Sequence, residues 1–309
     1  MRSTTLPLLA VAFTVTMPLV STTVAAGQAR GDVYVGADVG LSLARNLEST
    51  RTNVGIPTNC DQWLPDAVLN DGTTVPLPIE QCAPRALPAS PNTFELDVGW
   101  VAGVNAGYVL GWLRLEAEYF HRRHGGETLA LVVPGDPKQQ EFVERTERIG
   151  SLRGHNVFVN LYHDFWNPRT ARRARRATPF LGAGVGWMWT EIDYDATSIR
   201  TSDRDALLEL GRNPHAAGTT SRVDAALTDD LLGFQLLAGL DYALTEQHAL
   251  TFKIRYADAF GDFEDLGNPW KTLRDHESTV GPGGAPIHYD IRARNLGFWL
   301  LSAGFKVGL

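Results

Sequence analysis

Three glycines at alternate positions, Gly182, Gly184 and Gly186, raise the question of a phosphate-binding loop in the stretch PFLGAGVGWMW. A dinucleotide-binding loop uses the pattern Gly-x-Gly-x-x-Gly, whose glycines let the backbone approach a pyrophosphate at a helix N-terminus. The position that would hold the third glycine of this pattern is Trp187. The stretch therefore does not match the motif, and we expect no cofactor.

Histidines are the other candidates for chemistry. His121 and His124, next to Glu127, could hold a metal ion if the chain folded back, but histidines of surface loops more often bind no metal. The sequence has no His-x-Ser-Asn segment like that of lipid A deacylases, no Gly-x-Ser-x-Gly and no His-Glu-x-x-His. We expect no catalytic residue and no metal site. A hydrolase that uses His121, His124 and His155 is the least favoured alternative.

The two cysteines, Cys60 and Cys82, lie in one proline-rich polar segment. In an oxidising compartment each is the other's only partner within the chain, so we expect one local disulfide. Such a bond would restrain the unfolded chain by about 3 kcal/mol. Two thiols without a nearby histidine pair are too few ligands for structural zinc. Unpaired cysteines remain the alternative.

Net charge and the N-terminal segment restrict the compartment. A formal net charge of -7 and a pI of about 5.6 argue against a nucleic-acid partner, which would need a basic face. Residues 1–26 have the layout of a secretory signal, with Arg2 before an apolar run and small residues before a cleavage point after Ala26 or Ala29. Prolines interrupt this short run, which makes an uncleaved membrane anchor the weaker alternative.

The rest of the chain alternates apolar and polar residues with a period of two. In Thr93–Leu110 the even positions are apolar or amphipathic, and most odd positions are polar or glycine. No helix produces such a pattern, and it runs longer than the usual globular strand. Eight segments share it: residues 33–43, 93–110, 113–119, 156–165, 179–189, 232–242, 250–256 and 299–309.

The connections between these segments alternate in length. Short ones are predicted at Leu110–Gly111, Thr245–Gln247 and Asn167–Thr178, and long ones at Ala44–Asn92, Arg122–Gly150, Asp193–Asp230 and Gly261–Ala293. Short turns at one end and long loops at the other are typical of transmembrane β-barrels, and an even strand count closes the sheet without an edge. Residues 31–309 are therefore predicted to be all-β, a transmembrane eight-stranded antiparallel up-and-down barrel with four long extracellular loops and short periplasmic turns.

Aromatic and charged residues indicate what the two faces do. Aromatic residues of the apolar phase gather near strand ends, like the girdles that flank a lipid-facing band: Tyr108, Phe165 and Tyr242 at the turn end, and Tyr119, Trp187, Trp189 and Tyr256 at the loop end. Charges of the polar phase are predicted to pair inside a lumen too narrow for an open pore: Asp38, Glu95, Asp97, Arg114, Glu116, Glu118, Asp164, Asp241, Lys253, Arg255 and Lys306. A solvated exterior is the alternative, although glycine repeated on a solvent face would weaken a strand.

The segments TPFLGAGVGW, FQLLAGLDYALTEQHALTFKIRYAD and LGFWLLSAGFKVGL resemble the eight-stranded outer-membrane β-barrel superfamily, which includes opacity proteins, OmpA-like barrels and bacterial surface antigens. The resemblance implies a place in the outer membrane of a Gram-negative bacterium, among its lipids and lipopolysaccharide. It also implies insertion by the barrel-assembly machinery and extracellular loops that bind host or environmental ligands. Activities diverge within this superfamily. We expect a non-enzymatic surface protein that supports membrane integrity or loop-mediated contact, with a small porin-like channel or transporter as the alternative.

Overall fold

The computed structural model describes residues 33–54, 67–75, 90–132, 140–166, 176–212, 214, 217–270, 272–274 and 287–309. The predicted signal segment, Cys60 and Cys82 lie outside the described residues. The strands are β1 (Val33–Ala44), β2 (Leu47–Val54), β3 (Ala67–Val68), β4 (Thr74–Val75), β5 (Ser90–Phe94), β6 (Gly99–Leu110), β7 (Leu113–Gly125), β8 (Thr128–Ala130), β9 (Phe142–Asp164), β10 (Ala177–Arg200), β11 (Thr220–Ala243), β12 (His248–Ala259), β13 (Phe263–Trp270), β14 (Thr272–Arg274), β15 (Ile287–Arg294) and β16 (Phe298–Gly308).

Eight of these strands form a closed antiparallel ring in the order β1, β6, β7, β9, β10, β11, β12 and β16. The ring closes where β1 pairs with β16, from Tyr34 opposite Gly308 to Ala44 opposite Phe298. Each barrel strand is followed around the ring by the next barrel strand of the chain, so the predicted eight-stranded up-and-down order is confirmed. Closure leaves no edge strand in the ring, so the backbone groups of all eight strands can pair on both sides.

The short turns lie at one end of the ring. Between β6 and β7, Gly111 has a φ of 72°, and this conformation allows the tight reversal at this end. Trp112 follows it in the same turn. Between β11 and β12, the hydroxyl group of Thr245 accepts a hydrogen bond from the backbone N–H of His248 at 3.0 Å. These turns match two of the predicted short connections. Most of the third, Asn167–Thr178, lies outside the described residues, and its last two residues belong to β10.

The segments predicted as long loops contain much more strand than expected. Strands β9, β10 and β11 run for 23, 24 and 24 residues and continue well past the barrel at its loop end. A separate four-stranded sheet has the order β13, β15, β2 and β5. The reason is a second apolar core, which gives alternating residues of these segments something to bury: Leu47, Phe94, Ile149, Leu152, Ile192, Tyr194, Leu227, Phe263 and Ile291.

One predicted strand is divided in two. Thr93–Leu110 continues one alternating pattern in the sequence, but β5 ends at Phe94 and β6 begins at Gly99. Strand β5 pairs with β2 in the four-stranded sheet, whereas β6 pairs with β1 and β7 in the barrel. Periodicity alone could not show the break, because the even positions are apolar on both sides of it, although Phe94 is buried and Trp100 and Val104 are exposed.

A short helix, α1 (Arg204–Glu209), lies in the connection between β10 and β11. Its cap is Asp203, whose carboxylate accepts hydrogen bonds from the backbone N–H groups of Asp205 and Ala206. Leu207 is the buried residue of this helix. Among the described residues, no helix has the length and apolar composition that crossing a membrane requires.

Candidate functional site in the barrel interior and on its outward face

The inward side chains of β7 show how the interior changes from the turn end to the loop end. All six are buried, and they alternate with outward residues: Arg114, Glu116, Glu118, Phe120, Arg122 and His124. Ionisable residues occupy the turn end and the middle, an aromatic residue follows, and two basic residues come last. The interior is therefore layered along the barrel axis.

An ion-pair cluster fills the turn end. The guanidinium group of Arg114 lies 2.6 Å from a carboxylate oxygen of Asp241 and 3.0 Å from one of Asp164. Lys306 Nζ reaches the same Asp241 carboxylate at 3.1 Å. These residues come from four different strands, so the barrel has to close before the cluster can form.

Two tyrosines complete this cluster. Tyr34 and Tyr162 each donate a hydroxyl hydrogen bond to the Glu116 carboxylate at 2.7 Å. The Arg114 guanidinium carbon lies 4.9 Å from the centre of the Tyr162 ring, within the range of a cation–π interaction. The sequence prediction included Glu116 and Arg114 but missed both tyrosines, although their inward parity could have identified them.

Glu118 is the centre of the middle layer. Its carboxylate accepts hydrogen bonds from Lys253 Nζ at 2.8 Å and from Arg255 Nη2 at 2.7 Å. Lys253 also lies 2.7 Å from the Asp38 carboxylate. All four side chains are at most 3% exposed, and they join β1, β7 and β12. Two acids and two bases thus neutralise one another across the lumen.

Two amides extend the contacts of Glu118. Asn160 Nδ2 and Gln235 Nε2 donate hydrogen bonds to its Oε2 at 3.1 and 3.2 Å, and Gln235 donates to Asn160 Oδ1 at 2.6 Å. Both residues have inward parity, which is the only sequence signal that could have included them. With them, five strands of the ring meet at one buried carboxylate and its partners.

An aromatic layer closes the interior on the loop side of Glu118. The rings of Phe120 and Phe158 are stacked with their centroids 5.9 Å apart, and Phe298 meets Phe120 edge-on at 6.3 Å. Met188 and Leu300 pack in the same buried cluster. Two polar layers therefore lie on the turn side of this apolar layer, and the buried side chains of Arg122 and His124 lie on its loop side.

The glycines of β10 make room for side chains of the neighbouring strand. A Cβ atom at Gly182 would overlap the Tyr162 ring, and one at Gly184 would overlap the Asn160 amide. Both neighbours come from β9, the strand paired with β10. The glycines lie on the lumen side of β10, and the space beside them is filled by Tyr162 and Asn160 of the paired strand.

Two predicted lumen charges are not in the lumen. Glu95 and Asp97 are exposed and lie in the segment between β5 and β6. The prediction was wrong because it assumed one continuous strand through these positions. The remaining members are buried inside the ring or, for Asp241, partly so: Asp38, Arg114, Glu116, Glu118, Asp164, Asp241, Lys253, Arg255 and Lys306.

The outward face of the ring carries large exposed apolar side chains, which we call the apolar belt. Val39 is 64% exposed and Val185 is 60% exposed, far more than residues of a protein core. On β7 the belt runs from Leu113 to Tyr119. Its other members surround the ring: Val35, Leu41, Val104, Val157, Val159, Leu161, Leu181, Leu232, Leu236, Phe252, Ile254, Leu301 and Phe305.

Aromatic side chains lie towards the ends of the belt strands. All seven predicted girdle residues have outward positions, and six are clearly exposed while Tyr256 is half-buried. Three further exposed tryptophans, Trp100, Trp112 and Trp299, were missed. Their positions near strand ends could have identified them. Trp100 and Trp299 are the second residues of β6 and β16, and Trp112 lies in the turn between β6 and β7.

The histidines of β7 point in opposite directions. His121 is outward, whereas His124 is fully buried beyond the belt on the loop side. His124 Nδ1 donates to the Asp97 carbonyl oxygen at 2.9 Å, and Nε2 lies 2.8 Å from the Ser42 hydroxyl oxygen. Burial, followed by the charge of Arg122, lowers the pKa of His124 to about 4. The two histidines therefore cannot bind one metal ion together with Glu127.

Neither the protein-family models nor the curated proteins compared with this sequence contain a match. Among solved structures, the chain is similar to the Neisserial surface protein A (14% identity, TM-score 0.38, covering 91% of this chain and 100% of the other). It is also similar to OprG from Pseudomonas aeruginosa (11%, TM-score 0.42, 91% and 98%) and to the outer membrane protease OmpT from Escherichia coli (10%, TM-score 0.34, 89% and 97%). Likeness at this level does not carry an activity from one protein to another.

Proposed function

We propose that this chain is an integral outer-membrane β-barrel protein that acts at the cell surface without catalysis. The observation that carries the proposal is the apolar belt around a closed ring. In water, a continuous belt of exposed Val, Leu, Ile and Phe side chains would be unfavourable by about 25 cal/mol for each Å². A bilayer removes that cost, and a closed ring satisfies the backbone groups inside it.

The interior supports a non-conducting barrel rather than the porin-like alternative. Ions could cross only by displacing Glu118 from Lys253 and Arg255, whose donor–acceptor distances are 2.7–2.8 Å. Removing one partner of such a buried pair costs about 3–5 kcal/mol. The filled lumen instead gives the barrel rigidity, which suits a scaffold for the strands at its loop end.

The part of the chain at the loop end is the candidate contact surface. The extended strands β9–β11 and the four-stranded sheet share a buried core, so these segments have a defined shape. A contact surface that is already ordered loses less conformational entropy on binding a host or environmental ligand. The opposite orientations of His121 and His124 favour a non-enzymatic role over a hydrolase at the rim.

The test is fractionation of cells that express the full chain, followed by proteolysis of intact cells. We expect the folded protein in the outer-membrane fraction, with heat-modifiable gel mobility and cleavage only in connections at the loop end. The turn at Gly111 should be cut only after the outer membrane is opened. A protein that remains soluble without detergent and shows one mobility before and after heating would contradict the proposal.

A further inference from the structure

Two pairs of basic side chains stand side by side on the outward face of β7 and β9. In the strand register, His121 is opposite His155 and Arg123 is opposite Arg153. The two imidazole ring centroids are 4.5 Å apart. None of the four residues is buried. We call these four residues the basic patch, which directly follows Tyr119 and Val157 of the apolar belt.

Aromatic side chains border the basic patch on both sides. On β6, Trp100 is opposite Arg123, and its ring centroid lies 5.2 Å from that of His121. On β10, Trp189 is opposite His155. Exposed tryptophans of this kind mark the level where a strand leaves the hydrocarbon for the head groups. The basic patch therefore lies at the level of the lipid head groups.

The protein compensates only part of the charge of the basic patch. Arg153 lies 2.9 Å from a carboxylate oxygen of Glu191 and 2.7 Å from one of Asp193. Within the part of the chain that the structure describes, no carboxylate lies within 4.0 Å of the Arg123 guanidinium. Like charges directly opposite one another on paired strands are destabilising. An anion bound next to Arg123 would reverse this effect.

Other parts of the barrel carry acidic residues at the level of the basic patch. On β11 and β12, farther around the ring, the outward residues near the loop end of the belt include Asp230 and Asp258. Trp187 Nε1 donates to Asp230 at 3.2 Å, and the Tyr256 hydroxyl donates to Asp258 at 2.6 Å. The basic patch is therefore a local feature and not part of a uniformly basic rim.

We propose that the basic patch binds the phosphate group of a lipid of the leaflet at the loop end. Arg123 and the imidazole N–H groups supply donors for the phosphate oxygens, while the acyl chains of the same lipid lie on the belt next to Val157 and Leu115. In an outer membrane the phosphorylated lipid of this leaflet is lipopolysaccharide. The inference rests on the proposed function, because a membrane lipid reaches the basic patch only if the barrel spans the bilayer.

The test measures binding of lipid A to the folded protein in detergent micelles by native mass spectrometry. Three probes are compared: bis-phosphorylated lipid A, the same lipid without phosphates, and phosphatidylcholine. We expect the phosphorylated lipid A to bind most tightly and Arg123→Gln to weaken its binding about fivefold, the effect of one surface cation on an anionic lipid. Arg222→Gln is the matched control. Arg222 is an exposed arginine near the first residue of β11, away from the basic patch, and it pairs with Asp195.

Three results would overturn the inference: equal binding of lipid A with and without phosphates, equal losses in Arg123→Gln and Arg222→Gln, or complete displacement of lipid A by inorganic phosphate. The last result would identify a site for free phosphate. Failure of the proposed function looks different, because the wild-type protein would then not insert into phosphatidylcholine vesicles or show heat-modifiable mobility. Insertion without a preference for phosphate would contradict only the lipid site.

Discussion

At the scale of single residues, the interior depends on charges that have partners on several strands. Glu118 receives Lys253 and Arg255 from the same strand, β12, and these two cations would repel one another without the carboxylate. With Asp38, which pairs with Lys253, four charges are buried here. Their desolvation is costly unless the pairing and the hydrogen bonds are nearly complete. The amides of Asn160 and Gln235 supply further donors to the same carboxylate. The network therefore specifies one register of the ring.

His124 gives a residue-scale prediction on pH. Its pKa is about 4 in the folded chain, below the ordinary value of 6.5, so the unfolded chain binds the proton more tightly. The stabilisation is complete above pH 6.5 and is lost as the pH falls towards 4, by up to about 3 kcal/mol. We expect the urea midpoint in micelles to fall over this range, and to fall less in His124→Gln.

His248→Gln is the matched control for this prediction, because His248 lies at the start of β12 at the turn end of the barrel, whereas His124 lies at the loop end. Its loss should leave the pH dependence as in the wild type. Carboxylates that titrate in the same range contribute equally to both variants and cancel in the comparison. If His124→Gln and the wild type lose stability in parallel between pH 6.5 and 4, the buried histidine is not the cause.

At the scale of elements, strand β10 combines two unlike faces. Its outward residues are Leu181, Ala183, Val185 and Trp187, and glycines occupy the alternating inward positions. Because strand neighbours on one face are close, the large inward residues of β9 need small partners on β10. The glycine repeat that resembled a binding loop is therefore a packing feature of paired strands.

Gly184→Val tests this account of β10. The new side chain would overlap the Asn160 amide and lie about 3 Å from the Val159 carbonyl oxygen, so Asn160 would have to leave Glu118 and Gln235. We expect a loss of about 3 kcal/mol in the free energy of unfolding, or no folding at all. The measurement is urea unfolding in micelles.

Ala183→Val is the control for the glycine variant, one position away on the exposed outward face of the same strand. It adds more apolar surface on the face that contacts detergent or lipid, and should leave the unfolding midpoint unchanged or slightly higher. Equal midpoints for the two variants would contradict the close approach of β9 and β10.

At the scale of the whole molecule, three regions have different surroundings. The apolar belt faces outward, the lumen holds paired charges and aromatic rings, and the loop-end strands bury a core of their own. The apolar residues of the belt would be buried in a water-soluble barrel, where the polar phase would face outward. In this chain the apolar residues face outward and the charged residues face inward, and this arrangement supports the proposed place in a membrane.

Planar-bilayer recording tests the filled interior of the whole barrel. We expect the purified, heat-modifiable protein to insert without discrete conductance steps, because Glu118, Lys253 and Arg255 meet across the lumen at 2.7–2.8 Å. A general porin inserted in the same bilayers serves as the positive control. Reproducible steps from several preparations would require a lumen that opens, and would favour the channel alternative.

Much of the barrel could be predicted from the sequence, because a period of two assigns each side chain to one face of a strand. Parity placed Glu118, Lys253 and Arg255 inside, and Trp187 and Trp189 outside, before any contact was known. It failed at Glu95 and Asp97, where the alternation continues although the strand does not. Local periodicity contains no information about this break, because the even positions stay apolar although Phe94 is buried and Trp100 is exposed.

Only the tertiary structure decided which residues meet. The carboxylate of Glu118 and its partners on β12 are separated by 135 and 137 positions in the chain, and closure of the ring brings them together. The four-stranded sheet and the basic patch also depend on pairing between distant segments. Sequence alone determined the faces, since the pleat of a strand is a local property; the tertiary structure determined the neighbours, since strand register is set by all the side chains that must pack together.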